Sequence, residues 1–217
     1  MSLAFAFPSY SKAERIADAI VHIIGVPLGL IAAALILHRA SGEGAFTLTA
    51  IAIYAAGLIG MLGSSAAYQL CPPGVLKERL RRLDRAMIFV MIAGTYTPIS
   101  VTVLYGRFGL VLCALLWALA AIGIFLTLRY PRQFERSLMA LYLAMGWMLV
   151  VLIRYCFSLL GPGVLALIIA GGVAYTIGAV IQGTRLKFHN PIWHVLILIA
   201  ASLQYAAISL QLTGGIF

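Results

Sequence analysis

Charge is what this 217-residue chain has least of: Asp, Glu, Lys and Arg make up 10% of it, and six residues are acidic. With 63% hydrophobic residues and a mean hydropathy of +1.06, too much surface is apolar for a water-soluble domain of this size to hide. Its solvent is lipid. Cysteine is scarce as well. Cys71, Cys113 and Cys156 stand far apart with no CxxC spacing, which argues against a disulfide framework or a zinc ribbon and leaves small apolar packing as their role. A basic start followed by a short apolar run and a small-residue cleavage site, the mark of a signal peptide, is missing too. The first apolar run extends from Ile16 to Leu37, long enough to span a bilayer, and reads as a first membrane helix. No stretch is long and polar enough for a separate soluble domain, and neither repeats nor low-complexity segments interrupt the pattern.

What the chain does have is apolar runs, each near the roughly 20 residues a helix needs to cross the hydrocarbon. Seven are predicted, at about residues 16–37, 46–70, 85–104, 108–128, 138–159, 164–183 and 191–212. Turn or charge signals separate them, among them Cys71-Pro-Pro-Gly74 and Gly161-Pro-Gly163. The expected architecture is therefore an all-α integral membrane protein, one seven-helix domain over 1–217. Lys and Arg distribute unevenly over alternate loops. Lys12, Arg15, Lys77, Arg79, Arg81, Arg82, Arg85, Arg129, Arg132, Arg136, Arg185 and Lys187 fall on one side, and Arg39, Arg107 and Arg154 on the other. The positive-inside rule places the N-terminus in the cytoplasm and, after seven spans, the C-terminus outside. The net charge of +9 is then a topology signal rather than a nucleic-acid footprint. Glycines in the second span (Gly57, Gly60, Gly63) and the sixth (Gly171, Gly172, Gly178) suit close helix packing in lipid.

Orientation gives the polar residues a shared address at the cytoplasmic end. Glu14, Asp18 and His22 lie along one stripe of the first helix. Ser65, Tyr68 and Gln69 end the second, Asp84 opens the third, and His189, Asn190 and His194 open the seventh. Burying such groups costs several kcal/mol unless they find partners, so each is a candidate functional residue. Each also has a structural role open to it. Glu14 and Asp18 suit a helix N-terminus through the macrodipole. Asp84 and Asn190, the latter followed by Pro191, suit N-caps. His22 can pair with Asp18, and Arg154 can snorkel to the headgroups.

With these residues in place the chain resembles, over almost its full length, the hemolysin III family of bacterial membrane proteins, relatives of the progestin and adipoQ receptors that include the adiponectin receptors. The resemblance is carried by Glu14-Arg-Ile-Ala-Asp-Ala-Ile-Val-His22, Ser65-Ala-Ala-Tyr68-Gln69, the long Leu83-Asp84-Arg-Ala-Met-Ile-Phe-Val-Met-Ile-Ala93-Gly-Thr-Tyr-Thr-Pro98, Gly146-Trp147, Gly172-Val-Ala-Tyr175-Thr-Ile-Gly178 and Asn190-Pro-Ile-Trp-His194. It implies a multi-pass protein of the bacterial inner (plasma) membrane with a cytoplasmic N-terminus. For the receptor branch it implies a zinc site near the cytoplasmic face, with Ser65, Asp84 and His194 at matching positions. Gln69 and Asn190 stand where that branch has two histidine ligands, and neutral amide oxygens are poor zinc ligands. His189 sits one residue away, a turn of roughly 100° on a helix. A rebuilt site from His22, His189, His194 and Asp84, or a weakened or absent zinc site, are the readings that remain.

Three functions follow as expectations from the resemblance. The first is a metal-dependent hydrolase of a lipid amide or ester, with Asp84 handling the water proton and Ser65 hydrogen-bonding in the site. The second is a pore-forming cytolysin, although a pore needs polarity across the whole membrane and the chain supplies it mainly at one end. The third is a non-catalytic protein that binds or senses a membrane lipid or fatty acid, which Gln69 and Asn190 suit without any metal.

Overall fold

The computed structural model describes residues 7–104, 106–130, 132–151, 159–184 and 186–212, and among these the regular structure is helical throughout. The elements are α1 (Lys12–Ala40), α2 (Ala45–Leu70), α3 (Val75–Pro98) continued by a π-helical turn (Ile99–Val103), α4 (Gly106–Arg129), α5 (Glu135–Gly146), a short α6 (Met148–Val151), α7 (Pro162–Gln182) and α8 (His189–Leu212). Among the described residues six helices are long and apolar enough to cross a membrane. Ile16, Ile20, Ile23, Leu28, Ile31 and Leu35 of α1 remain exposed along its length, as a lipid-facing surface requires. This is an α-helical, multi-pass membrane protein. Of the predicted fifth span, 138–159, the first part is α5 and α6. Residues 152–158, with Arg154 and Cys156, lie outside the described residues, as do Tyr105, Pro131 and Arg185.

Local chemistry explains the ends. Ser11 and Glu14 form a reciprocal capping box that starts α1. Pro162 opens α7 at a position where its missing N–H costs nothing. The third helix begins ten residues before the predicted 85, because its first turns are an amphipathic, arginine-rich segment that carries no apolar signal. Inside that segment Glu78 is 3% exposed. It accepts two bonds from Arg81 (2.7 and 2.9 Å), one from Arg82 (3.3 Å) and one from Arg132 beyond α4 (3.1 Å). Arg81 also reaches Glu135 at the start of α5 (3.0 Å). Burial of these charges is tolerable because every one is paired.

At its other end α3 passes through Pro98, which lacks the N–H of the ladder, into the π-helical turn closed by Leu104 N–H to the Ile99 carbonyl (3.1 Å). The α5–α6 break falls at Trp147. There the Tyr96 hydroxyl donates to the Gly146 carbonyl (2.8 Å) and accepts from Leu149 N–H (3.1 Å), while the Trp147 indole donates to Thr176 of α7 (3.0 Å). α2 and α3 approach closely through Gly57 and Gly94: a Cβ on either would stand 3.4 Å from a backbone oxygen of the other helix. One apolar core joins α1, α2 and α8 around Ile36, Tyr54 and Ile208; another joins α3, α4, α5 and α7 around Phe89, Leu116 and Met145.

Candidate functional site

The first, second, third and last long helices meet at the end of the bundle where α1, α3 and α8 begin. One turn into α1 and again a turn later, Asp18 and His22 are 5% and 6% exposed; His194 of α8 is 6% exposed. The carboxylate of Asp18 accepts from His194 Nδ1 at 2.6 Å, and its backbone carbonyl accepts from His22 Nδ1 at 2.8 Å. The two imidazoles stand edge to face, 4.5 Å between centroids. Ser65 Oγ lies 3.1 Å from His22 Nε2 and 3.4 Å from His194 Nε2. Asp84 of α3 lies beside Ser65 and His194.

These contacts favour one tautomer. A carbonyl and a carboxylate can only accept, so each Nδ1 carries a proton and, in the neutral ring, each Nε2 presents its lone pair. Both lone pairs aim at one hydroxyl that has a single proton to donate, so Ser65 cannot serve both. Next to them lies a void of about 40 Å³ walled by His22, Ser65, Asp84 and His194 together with apolar side chains of α1, α2 and α8, room for an ion or a water. The buried Asp18, His22 and His194 offer ligand atoms all within 4.8 Å of one another and can hold a metal ion. Histidines whose Nδ1 is tied to a carboxylate or carbonyl, leaving Nε2 free, are oriented as metal ligands commonly are.

The small void adjoins a larger one of about 560 Å³ through Asp84, Ile88, Trp193 and His194, which line both. That cavity is polar near α1, with Tyr10, Gln69 and Asn190, and apolar deeper in, with Ile92, Leu138 and Leu143. The Tyr10 phenol, outside the helices, is pushed up to about 12 by burial, with Tyr68, Asp18 and Glu14 nearby adding to the effect. It stays protonated and able to donate.

The structure therefore brings His22, Ser65, Asp84 and His194 together and leaves His189 apart. His189 is the first residue of α8; its Nδ1 bonds the Leu186 carbonyl (2.8 Å) and its ring faces Tyr10 at 5.7 Å. Neither N-cap role applies. Asp84 lies well inside α3, and the Asn190 Oδ1 accepts from Gln182 Nε2 of α7 (3.3 Å) rather than from its own helix. Gln69 and Asn190 line the large cavity and are absent from the walls of the small one. Glu14 does cap its helix, and also accepts from Phe188 N–H (3.0 Å) just before α8. Asp18 is the residue that sequence reasoning placed in a local role: its pairing with His22 four residues on was visible, but its contact with His194 has no signal in local spacing.

Comparison with known proteins follows the same chain length. A family model described as Haemolysin-III related matches residues 10–205. Hemolysin-3 of Bacillus cereus is 32% identical over 195 residues, covering 88% of this chain and 89% of the relative. A Hemolysin-3 homolog of Bacillus subtilis (strain 168) is 30% identical over 187 residues, covering 85% and 88%. With the match running from the segment before α1 into α8, the chain belongs to the haemolysin III family.

Proposed function

We propose that this protein is a metal-dependent hydrolase that cleaves an amide or ester bond of a membrane lipid, with its site near the cytoplasmic face of a bacterial plasma membrane. The observation that carries the reading is the convergence of two imidazole Nε2 lone pairs on Ser65 at a void shared with Asp84, beside a cavity that is polar at one end and mostly apolar beyond. His22 Nε2 and His194 Nε2 would hold the ion, imidazole donors of the kind that suits zinc, with the Asp84 carboxylate beside them left free to act on water. Bound there, a divalent ion supplies Lewis acidity to a water and to the scissile carbonyl.

The remaining steps belong to the chain. Asp18 keeps both rings in the tautomer that leaves Nε2 available. Asp84 takes the proton of the attacking water and returns it to the leaving group. Ser65 donates its hydroxyl proton to oxygen in the site instead of to a ring nitrogen. The apolar stretch of the cavity holds the acyl chain and keeps bulk water out. In this reading Gln69 and Asn190 are wall residues that face the substrate, not ligands. Positive-inside counting supports a cytoplasmic N-terminus, and the reading keeps the seven spans expected from the sequence.

Purified protein retaining about one zinc per chain and turning over a lipid amide or ester supports the proposal, with Asp84→Asn lowering kcat roughly 10²- to 10⁴-fold. Protein free of metal under non-chelating purification and inert towards both lipid classes sinks it. The lipid-sensing alternative is favoured by the amide pair Gln182–Asn190 in the cavity wall. It predicts that a metal is taken up only after Gln69→His and Asn190→His are introduced together. Pore formation is tested by dye release from liposomes containing the protein. The carboxylates and imidazoles gathered at one end give it the least support.

A further inference from the structure

Four arginines, Arg81, Arg85, Arg132 and Arg136, line the large cavity, against the two carboxylates Asp84 and Glu135. Membrane topology alone does not call for this. The positive-inside bias is indifferent to Lys or Arg and to their exact placement, and Lys12, Arg15, Lys77, Arg79, Arg82, Arg129 and Lys187 already supply it from positions off the cavity wall. Nor do internal ion pairs use the arginines up. Arg81 is occupied by Glu78 and Glu135, and Arg132 gives one nitrogen to Glu78. Among the described residues the ion pair of Arg85 is with Glu135, a carboxylate it shares with Arg81. Arg136, exposed at the start of α5, has no ion pair or hydrogen bond with any described residue.

Two helices order the cavity wall in the same sense. Along one stripe α3 presents Arg81, Arg85, Ile88, Ile92, then Thr95 and Tyr96 and, in the π-helical turn, Ile99, a shaft that is mostly apolar; α5 presents Glu135 and Arg136, then Met139 and Leu143. From Arg85 to Ile99 the rise of 1.5 Å per residue gives roughly 21 Å, deeper than the roughly 15 Å of hydrocarbon in one leaflet. A guanidinium rim above an apolar shaft of that depth has the shape of a lipid with a negative head.

We propose that the cavity takes an anionic phospholipid, its acyl chain along the α3–α5 stripe and its headgroup phosphate held by Arg85 and Arg136. Guanidinium forks bind phosphate oxygens in pairs, which lysine cannot do. A zwitterionic head carries an ammonium that the same arginines repel. The proposal rests on the reading of the cavity as a lipid-substrate site and adds the class of lipid.

Binding tests it without turnover. Delipidated protein carrying Asp84→Asn, in neutral detergent with a chelator present, is titrated with fluorescent phosphatidylglycerol and with phosphatidylcholine of the same chains, each with and without inorganic phosphate. Phosphatidylglycerol is expected to bind roughly tenfold tighter. The preference should disappear in R85Q/R136Q, survive in R129Q at the same membrane face, and weaken as salt is raised in the parent. Equal affinity for the two lipids overturns the proposal, as does a preference that persists in R85Q/R136Q. Full displacement of phosphatidylglycerol by inorganic phosphate assigns the arginines to the free anion instead and also overturns it. The salt series on the parent protein decides the matter if R85Q/R136Q does not fold: a preference insensitive to salt is not made by these charges. Headgroup selectivity in a protein that never hydrolyses lipid would remove the hydrolase reading and leave this one standing.

Discussion

Asp18 holds two histidines through two different groups, its carboxylate on His194 and its carbonyl on His22. Its carbonyl does so whatever the side chain, so substitution there separates the two rings. Asp18→Asn keeps an acceptor for His194 but removes its charge, and is expected to weaken zinc binding roughly 10- to 100-fold in a chelator competition. Unchanged affinity would mean that the carboxylate orients nothing that matters, and complete loss of the ion would make Asp18 a ligand itself. His22, Ser65, Asp84 and His194 were legible in the sequence because polar groups in apolar runs stand out and the charge bias put them at one depth. What was not legible was direction. His189 lies near in sequence to His194 yet turns its ring to Leu186 and Tyr10, because the chain ahead of it is still turning into α8.

At the scale of elements, α3 connects nearly everything that sets the site: the arginine segment, Asp84, the Tyr96 hydroxyl at the α5–α6 break, and the π-helical turn. Hydropathy located its apolar half and missed its first ten residues, since ion-paired arginines look like loop to any scale of apolarity. The break at Trp147 was likewise hidden. A glycine within an apolar run does not say whether another helix will lend the hydroxyl that makes an interruption tolerable. Past the π-helical turn, α4 folds back tightly, and a Cβ at Gly109 would run into the carbonyl oxygens of Ser100 and Leu104. Backbone cannot swing aside as a side chain does. Gly109→Ala is therefore expected to cost roughly 1–3 kcal/mol, read as a fall of several degrees in the thermal midpoint of the detergent-solubilised protein. An unchanged midpoint would show that α4 starts elsewhere.

At the scale of the whole molecule the number of crossings decides on which side the C-terminal end lies. Among the described residues six helices are long enough to cross; the seventh span expected from the sequence makes the count odd. Alkaline phosphatase fused after residue 212 should be active and a fluorescent protein at the same place dark, because only the odd count puts that end across the membrane from a cytoplasmic N-terminus. The reverse pattern would return both termini to one side and undo the seven-span proposal, while leaving the cluster of α1, α2, α3 and α8 where it is.

The link between Asp18 and His194 spans 176 positions, joining the first long helix to the last. During synthesis α1 leaves the ribosome first and α8 last. Until α8 is made the Asp18 carboxylate has no His194 imidazole to accept from. Chains cut short before α8 keep the bonds of His22 to the Asp18 carbonyl and Ser65 and lack that one, so the same contact that shapes the site also registers whether α8 has been added.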